Sequence, residues 1–226
     1  MRHLDLFSGI GGFALAAQWA GIETVGFCEI EEFPRKVLAK NFPGIKIHKD
    51  IKALNGEEYK NIDLITGGFP CQPFSVAGKQ GGTEDDRYLW PEMFRIIKQA
   101  RPAWVVAENV PGIIQMALDK VLFDLESENY TARTLILPAC AVNAPHRRDR
   151  VWFIAHDNRL RMEGSWAKFE ATRANQLFGN KWEGSASRLL RSTDGLPNRV
   201  DRVKSLGNAI VPQVAYEIMK VIKLAS

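Results

Sequence analysis

The feature that most constrains the fold is a series of short apolar runs, each followed by a turn and then by a helical pattern. The clearest run, 102–107, is almost continuously apolar, which is typical of a strand buried on both faces. Similar runs occur at 3–7, 23–28, 45–47 and 62–66. Strands that alternate with helices predict an α/β fold with a mainly parallel sheet and helices on both faces.

The remaining pattern completes this arrangement and contains no internal repeat. Further strands are predicted near 131–137 and 150–155. Glycine or proline marks several helix boundaries, such as Gly21 after the first helix and Pro91 at the start of the third. Helices are predicted at 13–20, 31–41, 92–100 and 114–128, with a last one that ends near 221.

Length and composition indicate a single large domain or one domain with a small appendage, because the chain has 226 residues of which 46% are hydrophobic. No stretch is apolar for long enough to span a bilayer, and strand-like sequence begins at the N-terminus, so neither a membrane partner nor a signal peptide is expected. Three cysteines without framework spacing favour a reducing compartment, which predicts a cytoplasmic protein.

The positive charge is concentrated in one part of the chain. Residues 156–204 contain ten Lys or Arg and six Asp or Glu, which accounts for the whole net charge of +4. A solvated loop and a segment that faces a polyanion are both consistent with this excess. We therefore divide the chain into a catalytic and cofactor-binding domain at 1–155, a short basic target-recognition segment at 156–201, and a C-terminal motif and helix at 202–226 that return to the first domain.

A cysteine lies in a rigid turn directly after one predicted strand. The run 62–66 ends at Gly67 and Gly68, and Cys71 follows between Pro70 and Pro73. Neither strand nor helix continues easily through these prolines. In an open α/β sheet, reacting groups lie at this end of the strands, although a proline-rich turn with an incidental thiol is the simpler alternative.

Three other strand ends carry features of a nucleoside site. The first strand is followed by a glycine-rich turn, 8–12, whose spacing differs from the dinucleotide fingerprint. Glu29 follows the second strand, where nucleoside-binding sheets have an acceptor for ribose hydroxyls, although a surface glutamate at a helix start is the alternative. Asp50 and Ile51 follow the third strand and are predicted to contact a base edge.

Taken together, five motifs resemble the C5-cytosine-specific DNA methyltransferase family, in the order and at spacings compatible with that family. Glu108 and Asn109 follow the fifth strand and belong to one of them. The matching segments are 5–13 (Asp-Leu-Phe-Ser-Gly-Ile-Gly-Gly-Phe), 67–75 (Gly-Gly-Phe-Pro-Cys-Gln-Pro-Phe-Ser), 108–110 (Glu-Asn-Val), 147–150 (Arg-Arg-Asp-Arg) and 207–212 (Gly-Asn-Ala-Ile-Val-Pro).

The resemblance implies a Rossmann-like fold dependent on S-adenosylmethionine and transfer of a methyl group to carbon 5 of cytosine in double-stranded DNA. It further implies that Cys71 adds to carbon 6 of a flipped-out base and that protonated Glu108 binds the ring N3 edge. Arg148 and Arg150 match the family's positions that hold the base O2 and neighbouring groups. His146 stands where the family usually has glutamine, so no catalytic role is assigned to it.

The same resemblance assigns the binding residues, and it requires no metal. Gln72, Ser75 and Asn109 are expected to contact DNA, with the loop 72–89 closing over the base. Cys28 and Cys140 are interpreted as small core residues. The residues expected to bind S-adenosylmethionine are Phe7, Gly9, Gly11, Gly12, Glu29, Ile30, Asp50, Ile51, Pro70 and Asn208.

The chain departs from the family in the segment 156–201, which is far shorter than the usual target-recognition domain. A minimal recognition element of a phage-like enzyme, a separate specificity subunit and a deletion are all consistent with this, and a cognate restriction endonuclease is a further expected partner. Two other functions remain open: methylation of cytosine in RNA, and a catalytically silent protein that binds DNA or the methyl donor.

Overall fold

Seven strands form one sheet in the computed structural model of the chain, which describes residues 1–70, 88–142, 144–160 and 209–226. The strands are β1 (Arg2–Leu6), β2 (Glu23–Cys28), β3 (Lys46–His48), β4 (Leu64–Gly67), β5 (Trp104–Asn109), β6 (Tyr130–Pro138) and β7 (Asp149–Asp157). Their order across the sheet is β3-β2-β1-β4-β5-β7-β6.

The sheet is mainly parallel, as the sequence predicts. The first five strands pair in parallel, whereas β7 runs antiparallel to both of its neighbours, β5 and β6. The reversal has a simple cause, since only the short connection 139–148 joins β6 to β7, and a parallel crossover needs a dozen residues or more. β7 continues to Asp157, past the predicted boundary at residue 155, and most of the predicted recognition segment lies outside the described residues.

Helices cover both faces of this sheet. The helices are α1 (Gly12–Trp19), α2 (Glu32–Asn41), α3 (Trp90–Ala100), α4 (Ile113–Met116), α5 (Leu118–Ser127) and α6 (Pro212–Ala225). On one face, buried side chains of α3 and α5 join the larger core cluster, and on the other α1 and α6 pack around Phe13 and Met219. None of the helices in the described ranges is long and apolar enough to cross a membrane.

The position of β5 in the interior of the sheet explains why its sequence is almost continuously apolar. All six of its residues are buried. Val105 and Ala107 belong to the core on one face, while Trp104 and Val106 belong to the core on the other. Because both faces of β5 exclude water, the alternation of apolar and polar residues that marks a half-exposed strand is missing here.

Two sequence-based expectations are wrong. The single helix predicted at 114–128 is divided into α4 and α5 at Ala117, whose φ of −152° is not helical; this stretch contains neither proline nor glycine, so its pattern does not mark the break. Cys140 is only half-buried, because it lies in a short 3₁₀ turn between β6 and β7, whereas Cys28 is buried as expected.

Candidate active site

Several predicted site residues within the described ranges lie along one edge of the sheet, because four neighbouring strands are parallel. Their carboxyl ends therefore meet along one edge of the sheet. Phe7 follows β1 and Glu29 follows β2, while Gly68 follows β4 and Glu108 lies near the end of β5. Residues that are far apart in the sequence thus share one edge.

The turn after β1 is built from backbone that runs through the left-handed region. Phe7 and Gly9 both have a φ of 53°. Ser8 ties this turn to the neighbouring strand, since its N–H donates to the Cys28 carbonyl at 3.0 Å. Its hydroxyl donates to the Asp5 carbonyl at 2.7 Å. The turn consequently presents the N–H of Gly9 toward Glu29.

Glu29 is a buried acceptor with a fixed orientation. One carboxylate oxygen, Oε2, accepts from the Gly9 N–H at 2.7 Å, and Oε1 accepts from the Glu31 N–H at 2.8 Å. A carboxylate can accept about four hydrogen bonds, so each oxygen retains capacity for a hydroxyl donor. This is the chemistry that a pair of ribose hydroxyls requires.

A cleft of about 370 Å³ lies in front of Glu29. It brings together seven of the predicted donor-binding residues: Phe7, Gly9, Glu29, Ile30, Asp50, Ile51 and Pro70. Leu89 and Ala209 also line it, and the sequence reasoning missed both. Ala209 directly follows Asn208 in the 207–212 motif, which is a signal that could have identified it.

Gly11 and Gly12 face other neighbours. A Cβ atom on Gly11 would lie 2.6 Å from the Phe42 ring and 3.0 Å from Leu38, and one on Gly12 would lie 2.7 Å from Ile210. Glycine at position 11 thus allows the start of α1 to pack closely against α2. Gly12 also lines a small cavity of about 50 Å³ with Glu108, while direct contact of either glycine with a methyl donor stays a prediction.

Glu108 is held by an ion pair within a largely buried environment. The Arg150 Nε lies 2.8 Å from Glu108 Oε1, and the two side chains are only 20% and 11% exposed. Burial raises the pKa of Glu108 to about 7, against the opposing effect of the Arg150 and Arg148 guanidinium groups. Near neutral pH this carboxyl can therefore both hold and release a proton.

The Glu108 carboxyl also lies against the strand end that leads to the predicted nucleophile. A Cβ atom on Gly68 would lie 3.4 Å from Glu108 Oε2. Gly68 is three positions before Cys71, which itself lies outside the described residues together with Gln72, Ser75 and Asn208. The spatial relationship of Glu108 to that thiol is accordingly a prediction.

Arg148 and Asn109 make contacts to the backbone. The Arg148 Nη2 donates to the Ala209 carbonyl at 2.9 Å and so joins the start of β7 to the chain beside Asn208. Asn109 is buried, and its Nδ2 donates to the Phe69 carbonyl at 3.0 Å while its Oδ1 accepts from the Val110 N–H at 2.9 Å. These bonds use one of its two N–H donors and one lone pair of its oxygen, and the DNA contact of Asn109 stays a prediction.

The described residues contain no group of three His, Cys, Asp or Glu side chains arranged to hold a metal ion.

Residues 1–193 of this chain match the protein family described as "C-5 cytosine-specific DNA methylase". The chain belongs to this family. The family resemblance is thereby confirmed, and four of its five motifs lie within the matched residues.

Two curated relatives are similar to most of this chain. The chain is 37% identical to the Type II methyltransferase M2.BsuMI of Bacillus subtilis over 69% of the chain's own length. It is 31% identical to the Type II methyltransferase M.NgoMIV of Neisseria gonorrhoeae over 87% of the chain's own length. A crystal structure of a DNA modification methyltransferase encoded within an Escherichia coli prophage matches with a TM-score of 0.63, at 31% identity over 75% of this chain and 50% of that one. The chain spans 42% and 67% of the lengths of the two curated relatives.

Proposed function

We propose that this chain transfers a methyl group from S-adenosylmethionine to carbon 5 of cytosine in double-stranded DNA. The observation that carries the proposal is the buried Glu108 carboxyl, which Arg150 binds at 2.8 Å beside the strand end that leads to Cys71. Membership in the C-5 cytosine methylase family supports cytosine as the target base. Duplex DNA as substrate, and any specificity subunit or cognate endonuclease as partner, belong to the proposal.

The residues that line the cleft in front of Glu29 are chemically suited to bind S-adenosylmethionine. Phe7 and Ile51 provide apolar surface for a purine ring, and Asp50 provides an acceptor for its amino group. Glu29, with capacity left on both oxygens, would accept the ribose hydroxyls. When bound, S-adenosylmethionine supplies its methyl group as an electrophile on a sulfonium sulfur, so that carbon 5 only has to be made nucleophilic.

Cys71 would make carbon 5 nucleophilic. Its thiolate forms a bond to carbon 6, and the electron pair of the C5–C6 double bond shifts toward carbon 5 and the N3 edge of the ring. After carbon 5 has gained the methyl group, its hydrogen passes as a proton to solvent water. The electron pair of the C5–H bond then forms the C5–C6 double bond, while the bond between carbon 6 and sulfur breaks and its electron pair leaves on the Cys71 thiolate.

Glu108 would stabilise the charge that develops on the ring. A carboxyl with a pKa of about 7 is partly protonated at neutral pH and can donate to N3. Arg150 binds Oε1, so that the carboxyl keeps one orientation while Oε2 faces Gly68. Because carbon 6 is stacked inside a duplex, the target base has to leave the helix for this contact to form.

The test combines two substrates with one trapping reagent. Labelled S-adenosylmethionine is incubated with the chain and either duplex DNA or transfer RNA, and we expect label in DNA only. Duplex DNA that contains 5-fluorocytosine should form a covalent adduct with the wild-type chain and with Cys140→Ser, but not with Cys71→Ser. Label in transfer RNA would favour the RNA enzyme, and donor binding without any adduct would favour the silent protein.

A further inference from the structure

A buried carboxylate stands out on a helix outside the site described above. Asp124 lies on α5 among the apolar residues Val121 and Leu125, and it is only 6% exposed. An acidic side chain at a core position is costly unless its oxygens are satisfied. Both oxygens are engaged here: Oδ2 accepts from the Trp90 indole N–H at 2.9 Å, and Oδ1 pairs with Lys120 Nζ at 2.7 Å.

Trp90 connects this carboxylate with the chain segment that leads to Cys71. Its side chain is completely buried at the start of α3. Its ring packs against Phe69, with centroids 5.2 Å apart, and stacks on Phe94 at 6.0 Å. Phe69 is two positions before Cys71, so the orientation of the indole bears on the backbone that carries the proposed nucleophile.

The two chain segments that meet here form a neck. The Leu89 N–H donates to the Pro70 carbonyl at 3.2 Å, which joins the residue before Cys71 to the residue before Trp90. Asn109 holds the same segment through its bond to the Phe69 carbonyl. The neck, defined as Phe69, Pro70, Leu89 and Trp90, is therefore fixed by packing and hydrogen bonds at three points.

From these contacts we infer that Asp124 is a positioning residue for methyl transfer, acting through Trp90 on the neck that carries Cys71. The bond to Asp124 adds a directional contact to the packing that holds the indole, and the indole in turn packs against Phe69. A displacement of about 1 Å at a reacting group can cost on the order of 100-fold in rate, so a contact of this kind can matter at a distance. This inference rests on the proposed function.

The experiment compares four variants. Asp124→Leu removes the acceptor and Trp90→Phe removes the donor, whereas Asp124→Asn keeps an oxygen that can accept from the indole. Asp119→Leu makes the same chemical change at an exposed position on the same helix and serves as the matched control. Each folded variant is assayed for single-turnover methyl transfer, for affinity toward S-adenosylmethionine, and for hydrogen exchange at the Leu89 amide.

We expect Asp124→Leu and Trp90→Phe to lower the single-turnover rate at saturating S-adenosylmethionine about 10-fold or more. Affinity for S-adenosylmethionine should fall by a smaller factor, because Pro70 and Leu89 of the neck also line the cleft. Exchange at Leu89 should rise about 10-fold in both, while Asp124→Asn and Asp119→Leu remain close to wild type. Unchanged Leu89 exchange in Asp124→Leu, or an equal defect in Asp124→Asn, would overturn the inference. If the wild-type chain transfers no methyl group, the proposed function fails, and the Leu89 comparison still decides whether Asp124 holds the neck.

Discussion

Arg150 and Glu108 form an ion pair between two antiparallel strands, with Nε and Oε1 2.8 Å apart, yet the pKa of Glu108 is raised rather than lowered. The cause is that burial disfavours the charged carboxylate by more than the guanidinium stabilises it. The pair consequently fixes the direction of the carboxyl without forcing it to stay ionised. A fixed direction and a raised pKa suit a carboxyl that must hold a proton and donate it in a hydrogen bond to a nucleobase.

Glu108→Gln should make the protein more stable at alkaline pH. Because the folded-state pKa lies near 7 and the usual value is 4.5, the folded state binds more protons between these values, and stability falls as pH rises through this window. Glutamine removes the ionisation and keeps an oxygen for Arg150. We expect a gain of about 1–3 kcal/mol at pH 8 and little difference at pH 4, measured by urea denaturation. A variant that is less stable than wild type at pH 8 would contradict this account.

Arg150→Gln should raise the pKa of Glu108 further. The guanidinium is the largest influence that lowers this pKa, and an opposite charge in contact typically lowers a carboxyl pKa by about 1 unit or more. Carboxyl ¹³C chemical shifts of labelled glutamate across a pH titration measure the change directly. Arg147→Gln is the control, since Arg147 is 83% exposed and pairs with Asp149 instead. Equal pKa values in both variants would argue against the pairing.

Gly11→Ala should destabilise the fold more than Gly9→Ala. Both residues have positive φ, which costs an alanine about 1 kcal/mol or more. Only at position 11 would the new Cβ atom also meet a ring, at 2.6 Å from Phe42, while nothing lies within 4 Å at Gly9. Overpacking adds about 1–3 kcal/mol, so the two variants should differ by that amount in the free energy of unfolding. Equal losses would show that Phe42 moves aside freely.

Glu29→Gln should weaken the binding of S-adenosylmethionine. In glutamine an NH₂ group replaces one of the two carboxylate oxygens. This NH₂ group would face the Gly9 or the Glu31 N–H, where an oxygen now accepts, and it would present a donor instead of an acceptor toward the ribose hydroxyls. Loss of such buried hydrogen bonds corresponds to about 10- to 100-fold in affinity, measurable by titration calorimetry. Glu32→Gln is the control, because Glu32 is exposed on α2, pairs with Lys36 and is not among the residues that line the cleft. Unchanged affinity in Glu29→Gln would remove the predicted ribose contact.

Much of the architecture could be predicted from local pattern. The bounds of β2 are those predicted, and β5 lies within two residues of the apolar run at 102–107. The division of the predicted helix at Ala117 could not be predicted, because no helix-breaking residue marks it. The half-buried position of Cys140 depends on the tertiary course of the connection between β6 and β7.

By itself the sequence determined the residue types at each strand end and the alternation that brings those ends to one edge. It therefore indicated the family and the mainly parallel sheet, since short motifs and local patterns carry both. The family resemblance in turn implied the residues around Glu29. Only the tertiary structure decided that Glu108 has a pKa near 7, that Gly11 makes room for Phe42, and that Asp124 binds Trp90. Each of these properties arises from burial and from contacts between positions that are far apart in the chain. Local sequence patterns predict neither the burial nor the contacts.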